Sequence, residues 1–378
     1  MFDLKKQIRT LYITGILGNL SITGAWVAIL SARGFSLVQI GFAETIFHIT
    51  SLICEIPSGM FADMYGRKKM LVISNIMAVT GDLIMGLTSG FAGVCLAMPF
   101  HAMNYNFASG SGDALAFDSM KSVKKEAGFE RYVSTQSVIY RVASGLSTLC
   151  AGLALLIGYR AAYLISAAMG LLTLVFTFSL KEIRVKDEEG DPDENRQRRS
   201  DTGRGSWRNV FKALISYFTD SILFLMKNKK ASALMFLNSF VGAVDILLLF
   251  FLESKLQDAG LTAKYLGIGL FIMQMGGVVG SKLILKAEKV RYVIVFFVCV
   301  SGVIAGVLLE HSAIVWLMVF GGFISSMSDD AIQIRTDAKL NGMFPSEQRA
   351  TLISISSFTF SVIMIVMSPL AGYFFSIW

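Results

Sequence analysis

The stretch Gly59-Met-Phe-Ala-Asp63-Met-Tyr-Gly66-Arg67-Lys68-Lys69 separates two apolar runs and decides how the rest of the chain is interpreted. Glycine permits a sharp chain reversal, so Gly59 and Gly66 predict a tight turn where two helix ends approach closely. Asp63 is placed to accept hydrogen bonds from the unpaired amides that open the next helix. Arg67 is predicted to reach an acid at a neighbouring helix end, for which Asp118 is the candidate.

The apolar runs beside this stretch belong to a pattern that continues along nearly the whole chain. The 378 residues are 54% hydrophobic and 16% charged, with a mean hydropathy of +0.61. A soluble domain carries about 25% charged residues, so the composition excludes a soluble enzyme. Runs of about 20 apolar residues can each span a bilayer as a helix. The sequence therefore predicts an all-α, polytopic membrane protein.

Taken in order, the apolar runs predict eleven membrane-spanning helices. Their expected limits are 9–32, 37–61, 70–88, 92–117, 132–157, 160–180, 232–253, 263–285, 291–309, 312–333 and 348–373. With the N-terminus in the cytoplasm, 29 of the 34 lysines and arginines fall on cytoplasmic segments and only four on external ones. Because positive charge accumulates on cytoplasmic loops, this distribution predicts the orientation in the inner (plasma) membrane.

A polar segment over residues 181–205 divides the chain into two halves. Its acidic and basic blocks lack apolar periodicity, which is typical of a disordered linker. From Trp207 onward, apolar residues recur every three or four positions and predict an amphipathic helix on the inner leaflet. The expected domains are an N-terminal six-helix bundle (1–180), a cytoplasmic linker with this helix (181–230) and a C-terminal five-helix bundle (231–378).

The two halves share a motif, which predicts a parallel repeat. The pattern S-x-S-x-D-A-[LI] occurs around Asp113 and again around Asp330, 217 positions later, and Gly59 corresponds to Gly280 at an offset of 221. Such repeats place substrate sites between the halves near the bilayer midplane. A counterpart of the sixth helix should begin near residue 376, so we expect a missing twelfth helix and an external C-terminus. A truncated, non-transporting remnant therefore stays open.

The loop and its position resemble the major facilitator superfamily, in its multidrug-efflux-like branch. The superfamily signature G-x-x-x-D-x-x-G-R-[RK] is matched by Gly59, Asp63, Gly66, Arg67 and Lys68. The resemblance covers the chain up to the missing helix and implies two parallel-repeat bundles that work by alternating access. It also implies that this loop, with Asp118, latches the cytoplasmic side against helix eleven in the outward-open state.

Two departures concern the antiporters of that superfamily. Its drug–proton antiporters carry a Gly-Pro pair in helix five, whereas the predicted fifth span has Gly145 and Gly152 without proline. They also place an arginine in helix four, where this chain has Asn106. These differences keep open an uptake permease for a small polar solute.

Ionisable residues inside the predicted spans are candidates for proton or substrate binding, because burying them is costly. They are Glu44, Glu55, Asp82, Asp113, Arg141, Asp245 and Asp330. Arg141 is the one base, and we predict that it pairs with Asp113 or Glu55 in a layer near the cytoplasmic side. Asp245 is expected near mid-membrane. Glu44 and Asp82 also fit satisfied helix–helix hydrogen bonds, and His48 and His101 are lone histidines within the spans.

The sequence contains no Walker motif, no G-x-S-x-G and no metal-ligand cluster, so neither an enzyme nor a cofactor or metal is expected. Six acids against one base inside the spans favour protons and cations over anions. We therefore expect a monomeric secondary transporter in the lipid bilayer, with protons and a small molecule as partners and no nucleic acid. The preferred activity is multidrug-type antiport, the efflux of small amphipathic or cationic compounds.

Overall fold

The computed structural model describes residues 2–183, 207–287, 289–343 and 349–377, and the regular structure of these residues is entirely helical. The helices before the linker are α1 (Leu4–Asn19), α2 (Trp26–Ala32), α3 (Leu37–Tyr65), α4 (Arg67–Leu87), α5 (Phe91–Ala108), α6 (Ser111–Lys121), α7 (Phe129–Leu149), α8 (Ala151–Ile157) and α9 (Tyr159–Phe178). Those after it are α10 (Trp207–Lys227), α11 (Lys229–Asp258), α12 (Ala263–Lys286), α13 (Tyr292–Glu310), α14 (Val315–Met343) and α15 (Arg349–Ile377).

The apolar runs form helices of membrane-spanning length. Among the described residues, seven helices are long and apolar enough to cross a bilayer, namely α3, α4, α9, α11, α12, α13 and α15. An eighth span results if α7 and α8, which are bent by 42° at Cys150, count as one. The all-α, multi-pass prediction is therefore confirmed.

The helix predicted after the linker is present as α10, whereas residues 184–206 of the linker lie outside the described part. The apolar side chains of Phe211, Ile215 and Ile222 on α10 are exposed. An exposed apolar stripe on a helix suits the surface of a bilayer, and the placement of α10 on the inner leaflet stays a prediction.

The first predicted span, 9–32, is not one continuous helix. It is divided into α1 and α2, and Leu20 at the division has an extended backbone (φ −82°, ψ 119°). The following Ser21, Thr23 and Gly24 favour non-helical backbone, because serine and threonine compete for backbone hydrogen bonds and glycine loses conformational entropy in a helix. The prediction of an unbroken helix was wrong for this physical reason.

The fourth predicted span, 92–117, is also divided, at the first copy of the repeated motif. Gly110 has a left-handed backbone (φ 70°) and separates α5 from α6. The corresponding position in the second copy is Met327, whose side chain disfavours that conformation, and α14 continues through it. The repeat in sequence therefore produces two different local structures.

The chain forms two compact units that do not follow the order of the sequence. Unit A comprises residues 1–21, 50–146 and 163–220, and unit B comprises residues 22–49, 147–162 and 221–378. Unit B thus contains short segments of the first half together with all helices from α11 onward. The division into bundles over 1–180 and 231–378 stays a prediction.

Inside unit B, glycines allow α14 to pack closely against both α12 and α13. Gly276 and Gly280 of α12 touch the backbone carbonyl groups of Phe323 and Met327 on α14, where a Cβ atom would collide. Small residues at such contacts let helix backbones approach and increase packing in a membrane. The consequence is that the polar face of α14 is held deep inside the unit.

Candidate functional site

The signature loop is a turn of one residue. Gly66 alone separates α3 from α4, and its backbone (φ 100°, ψ 150°) lies in a region that favours glycine. The predicted loop between residues 61 and 70 was too long, since α3 continues to Tyr65 and contains Gly59 and Asp63. A Cβ atom at Gly59 would meet no described atom within 4 Å, so the expected close approach of helix ends there is wrong for the described residues. The side chain of Asp63 lies outside the described residues.

Glu182, just beyond α9, caps the start of α4. Its Oε1 accepts a hydrogen bond from the Arg67 amide at 3.1 Å and its Oε2 accepts one from the Lys68 amide at 2.8 Å. The sequence predicts that Asp63 accepts hydrogen bonds from the amides at the start of α4. The Arg67 and Lys68 amides instead donate to Glu182. A carboxylate is favoured here because unpaired amides and the helix dipole both attract negative charge.

The predicted ion pair between Arg67 and Asp118 is present. Arg67 Nη1 lies 2.7 Å from Asp118 Oδ2, and both side chains are largely buried. Lys68 Nζ donates to the carbonyl group of Phe178 at 2.9 Å. Inside unit A, the signature residues Arg67 and Lys68 therefore connect the start of α4 to α6 and to the end of α9.

The predicted charged layer around Arg141 is not formed. Among the described residues, Arg141 is exposed and makes no ion pair with Asp113 or Glu55. The break at Gly110 moves Asp113 to the first turn of α6, where it is exposed. A carboxylate in a first turn is stabilised by free amides, so Asp113 needs no arginine partner.

Two predicted acids meet histidines. Glu44 Oε1 lies 3.2 Å from His48 Nε2 one turn along α3, and both residues are buried. Asp82 Oδ1 lies 4.0 Å from His101 Nε2, on the neighbouring helix α5. Both pairs agree with the structural interpretation that the sequence left open for these residues.

Asp245 lies on α11 inside unit B and is only 5% exposed. The Ser326 hydroxyl of α14 is 3.4 Å from Asp245 Oδ2 and 3.5 Å from Oδ1. Asp330, one turn further along α14, packs against Gly277 of α12. Ser326 and Asp330 both belong to the second copy of the repeated motif. This copy contacts Asp245 through the Ser326 hydroxyl.

Two further acids were not singled out from the sequence. Asp329 is 3% exposed; its Oδ2 accepts from Gln333 at 2.6 Å, and its Oδ1 is buried without a partner among the described residues. Glu310 at the end of α13 is 0% exposed, and neither of its carboxylate oxygens has a hydrogen-bond partner there. Both are buried too deeply to carry charge without a counter-ion, so they are suited to hold and exchange protons.

A third acid that the sequence analysis missed, Glu253 of α11, contacts a segment of the first half. Its Oε2 accepts hydrogen bonds from the Val27 amide at 3.0 Å and the Ala28 amide at 3.2 Å. These amides open α2, which exists because the first span is broken. The hydroxyl groups of Ser31, one turn after Val27 on α2, and Ser254, the residue after Glu253, are 2.7 Å apart.

Comparison with known proteins identifies the family. The model of the Major Facilitator Superfamily matches residues 11–336. A curated relative, the uncharacterized MFS-type transporter YxaM of Bacillus subtilis (strain 168), is 22% identical over 339 residues, which cover 88% of this chain and 79% of that protein.

Solved structures share the fold. The nucleoside transporter NupG is 16% identical with a TM-score of 0.70, over 98% of this chain and 91% of that one. The D-xylose-proton symporter is 12% identical with a TM-score of 0.69, over 96% and 88% of the two chains. A bacterial homolog of the human lysosomal transporter Spinster, in an inward-facing and unoccupied conformation, is 13% identical with a TM-score of 0.71, over 97% and 81%.

The family match covers most of the chain, including the signature loop and the buried acids Asp245 and Asp329. It also includes the serines of α14 near these acids, Ser325, Ser326 and Ser328. Superfamily proteins are multi-pass membrane transporters and not enzymes. This protein therefore belongs to the Major Facilitator Superfamily.

Proposed function

We propose that this protein is a proton-coupled antiporter that exports small cationic or amphipathic compounds by alternating access. The observation that carries the proposal is the set of buried carboxyl groups in unit B. Asp245, Asp329 and Glu310 are at most 5% exposed, and none forms an ion pair with a described base. An isolated ionised carboxylate in such surroundings costs several kcal/mol, so these groups hold protons until water or a cation reaches them.

Competition at a carboxylate gives a physical basis for antiport. A proton and an organic cation are both stabilised by the same negative charge, and one carboxylate satisfies only one of them at a time. If each can enter from either side of the membrane, an inward proton gradient drives the cation outward. Asp245 is the proposed exchange site, because its carboxylate contacts the Ser326 hydroxyl and not a fixed positive charge.

The membrane topology belongs to the same proposal. Eleven spans result when α1 with α2, α5 with α6, and α7 with α8 each count as one broken span. The excess of lysine and arginine then supports a cytoplasmic N-terminus and insertion in the inner membrane. In this orientation the ion pair of Arg67 and Asp118 lies on the cytoplasmic side, where the resemblance implies a latch.

The proposal is tested by the accumulation of compounds in cells with and without the gene, across a panel of organic cations and neutral polar solutes. We expect lower accumulation of at least one organic cation when the protein is made. Asp245→Asn should abolish the difference, because asparagine cannot exchange a proton, whereas Asp220→Asn on the exposed part of α10 should preserve it.

Protein levels in the membrane are measured for both variants as a control. Higher accumulation of a neutral polar solute would instead indicate the uptake permease. An unchanged panel, or full export by Asp245→Asn, would contradict the proposal.

A further inference from the structure

Unit B contains a cavity of about 120 Å³ that the proposed mechanism does not use. Segments of the first half and helices α11 and α12 form its wall together. The wall includes Gly24, Thr148, Ile246, Phe250, Glu253 and Gln274. Most of the wall is apolar, but three of these side chains bring polar atoms to it.

Glu253 presents an unused carboxylate oxygen at this cavity. Both hydrogen bonds from the Val27 and Ala28 amides end on Oε2, and Oε1 accepts none from the described residues. The side chain is only 6% exposed. The two amides fix the position of the carboxylate, while one oxygen stays available to a donor inside the cavity.

A second polar group is oriented beside it. Gln274 Oε1 accepts a hydrogen bond from the Thr148 hydroxyl at 3.1 Å. This bond holds the amide plane and leaves the Nε2 group of Gln274 without an acceptor among the described residues. The cavity therefore offers one ionisable acceptor and one neutral donor.

The cavity wall carries no positive charge. Of the described residues that line the cavity, Glu253 alone is titratable. Helices α2 and α8 contain no titratable side chain, although Arg33 follows α2 and Cys150 precedes α8. Arg33 is stacked on the Tyr159 ring, 4.3 Å from its centroid, and Lys264 of α12 lies 5.5 Å from the Tyr265 centroid. Neither forms an ion pair with Glu253 among the described residues.

An aromatic side chain completes the site. Phe250 lines the cavity and is held by an edge-to-face contact with Trp26, with ring centroids 5.7 Å apart. A cation gains energy from a carboxylate and from an aromatic face in the same desolvated pocket. An anion gains from neither.

We propose that this cavity binds the ammonium group of a compact organic amine, with Glu253 as its counter-ion and Gln274 as donor to a second polar atom of the amine. The inference rests on the proposed export of cations and names the substrate class. About four water molecules fill the volume, at about 30 Å³ each, so an amine of a few heavy atoms fits. A larger amphipathic compound would place only its amine end there.

The test is thermal stabilisation of the purified full chain in detergent by 3-amino-1-propanol, a cation at neutral pH, compared with neutral 1,3-propanediol at equal ionic strength. The two probes have the same number of heavy atoms, so they differ at the ammonium group. We expect a saturable rise in melting temperature with the amine and none with the diol. Equal responses to both probes, or no response to either, would overturn the proposal.

Glu253→Gln provides the residue-level test. The amide oxygen of glutamine can still accept from Val27 and Ala28, which favours folding, but the negative charge is gone. We expect at least about tenfold weaker binding of the amine, in line with loss of a charge-assisted hydrogen bond. Asp258→Asn removes an exposed acid from the same helix and should bind like the wild type. Unweakened binding by Glu253→Gln would contradict the assignment.

The measurement separates this inference from the proposed function. Binding in detergent needs no gradient, so it is independent of proton coupling at Asp245. Amine binding without export would contradict only the proposed function. Export without amine binding at Glu253 would contradict only the site.

Discussion

Gly66 occupies the most constrained position in the signature loop. Its backbone conformation (φ 100°, ψ 150°) is rare for other residues, and a Cβ atom would lie 2.6 Å from Glu182 Oε2. Gly59 belongs to the same motif but lies inside α3 with open space around it. The two glycines of the signature therefore have different structural roles.

Alanine substitutions should separate these two roles. Gly66→Ala is expected to destabilise the protein by about 1–3 kcal/mol, because the new Cβ strains the turn and displaces the Glu182 cap. Gly59→Ala should be neutral or stabilising by about 0.5–1 kcal/mol, since it removes a glycine from a helix. The free energy of unfolding is measured in detergent. Equal effects of the two substitutions would contradict the distinction.

At the residue scale, the sequence predicts a contact correctly where both partners lie at recognisable positions, such as the ends of predicted helices. Arg67 and Asp118 were paired correctly, because each lies at a predicted helix end on the same side. Glu182 was missed, since it follows the last apolar run of the first half and no periodicity marks it. Glu253 and Glu310 were missed because each falls at the limit of a predicted span, whereas α11 continues to Asp258.

At the scale of helices, apolar runs predict that a helix exists but do not reveal where it breaks. The breaks at residues 20–25 and at Gly110 depend on a few weak helix formers, which an average over about 20 apolar residues does not register. They matter for function, because one creates the amides that Glu253 accepts and the other moves Asp113 away from Arg141.

The packing of α12 on α14 depends on glycine in a way that the repeat did not indicate. The sequence pairs Gly280 with Gly59, yet Gly280 touches the Met327 carbonyl group, whereas a Cβ atom at Gly59 would meet no described atom within 4 Å. A contact between two helices depends on the surfaces of both helices. Two positions that correspond in the repeat therefore differ in packing when their neighbouring helices differ.

Replacing Gly280 with alanine should therefore destabilise unit B. We expect the free energy of unfolding to fall by about 1–3 kcal/mol, as is typical of an overpacked contact. Transport should also fall, because α14 carries Ser326 and Asp329 and would be displaced. Gly342→Ala on α14 is the matched control, since a Cβ there meets no described atom within 4 Å. Unfolding in detergent and export in cells are measured for both variants. A Gly280→Ala variant as stable as the control would show that the contact is not tight.

For the molecule as a whole, unit B combines two features on which the proposed function and the proposed amine site depend. Backbone contacts at glycines, such as Gly41 with Ser368 and Gly267 with Leu149, hold first-half segments against the second half. Beside them lie the cavity at Glu253 and the buried acids around Asp245. The sequence predicts the family and the excess of acids over bases inside the spans. It does not predict which acids lie in the same unit, because that depends on packing between segments distant in sequence.

The central claim, exchange of a proton for an organic cation, is tested most directly in liposomes containing the purified protein and an internal pH dye. An exported cation found in the cell panel is added outside, so that its entry drives proton movement. We expect the lumen to become more alkaline as protons leave, and expect Asp245→Asn to abolish this response while Asp220→Asn preserves it. A lumen that becomes more acidic, or whose pH stays constant while the cation enters, would contradict proton–cation antiport.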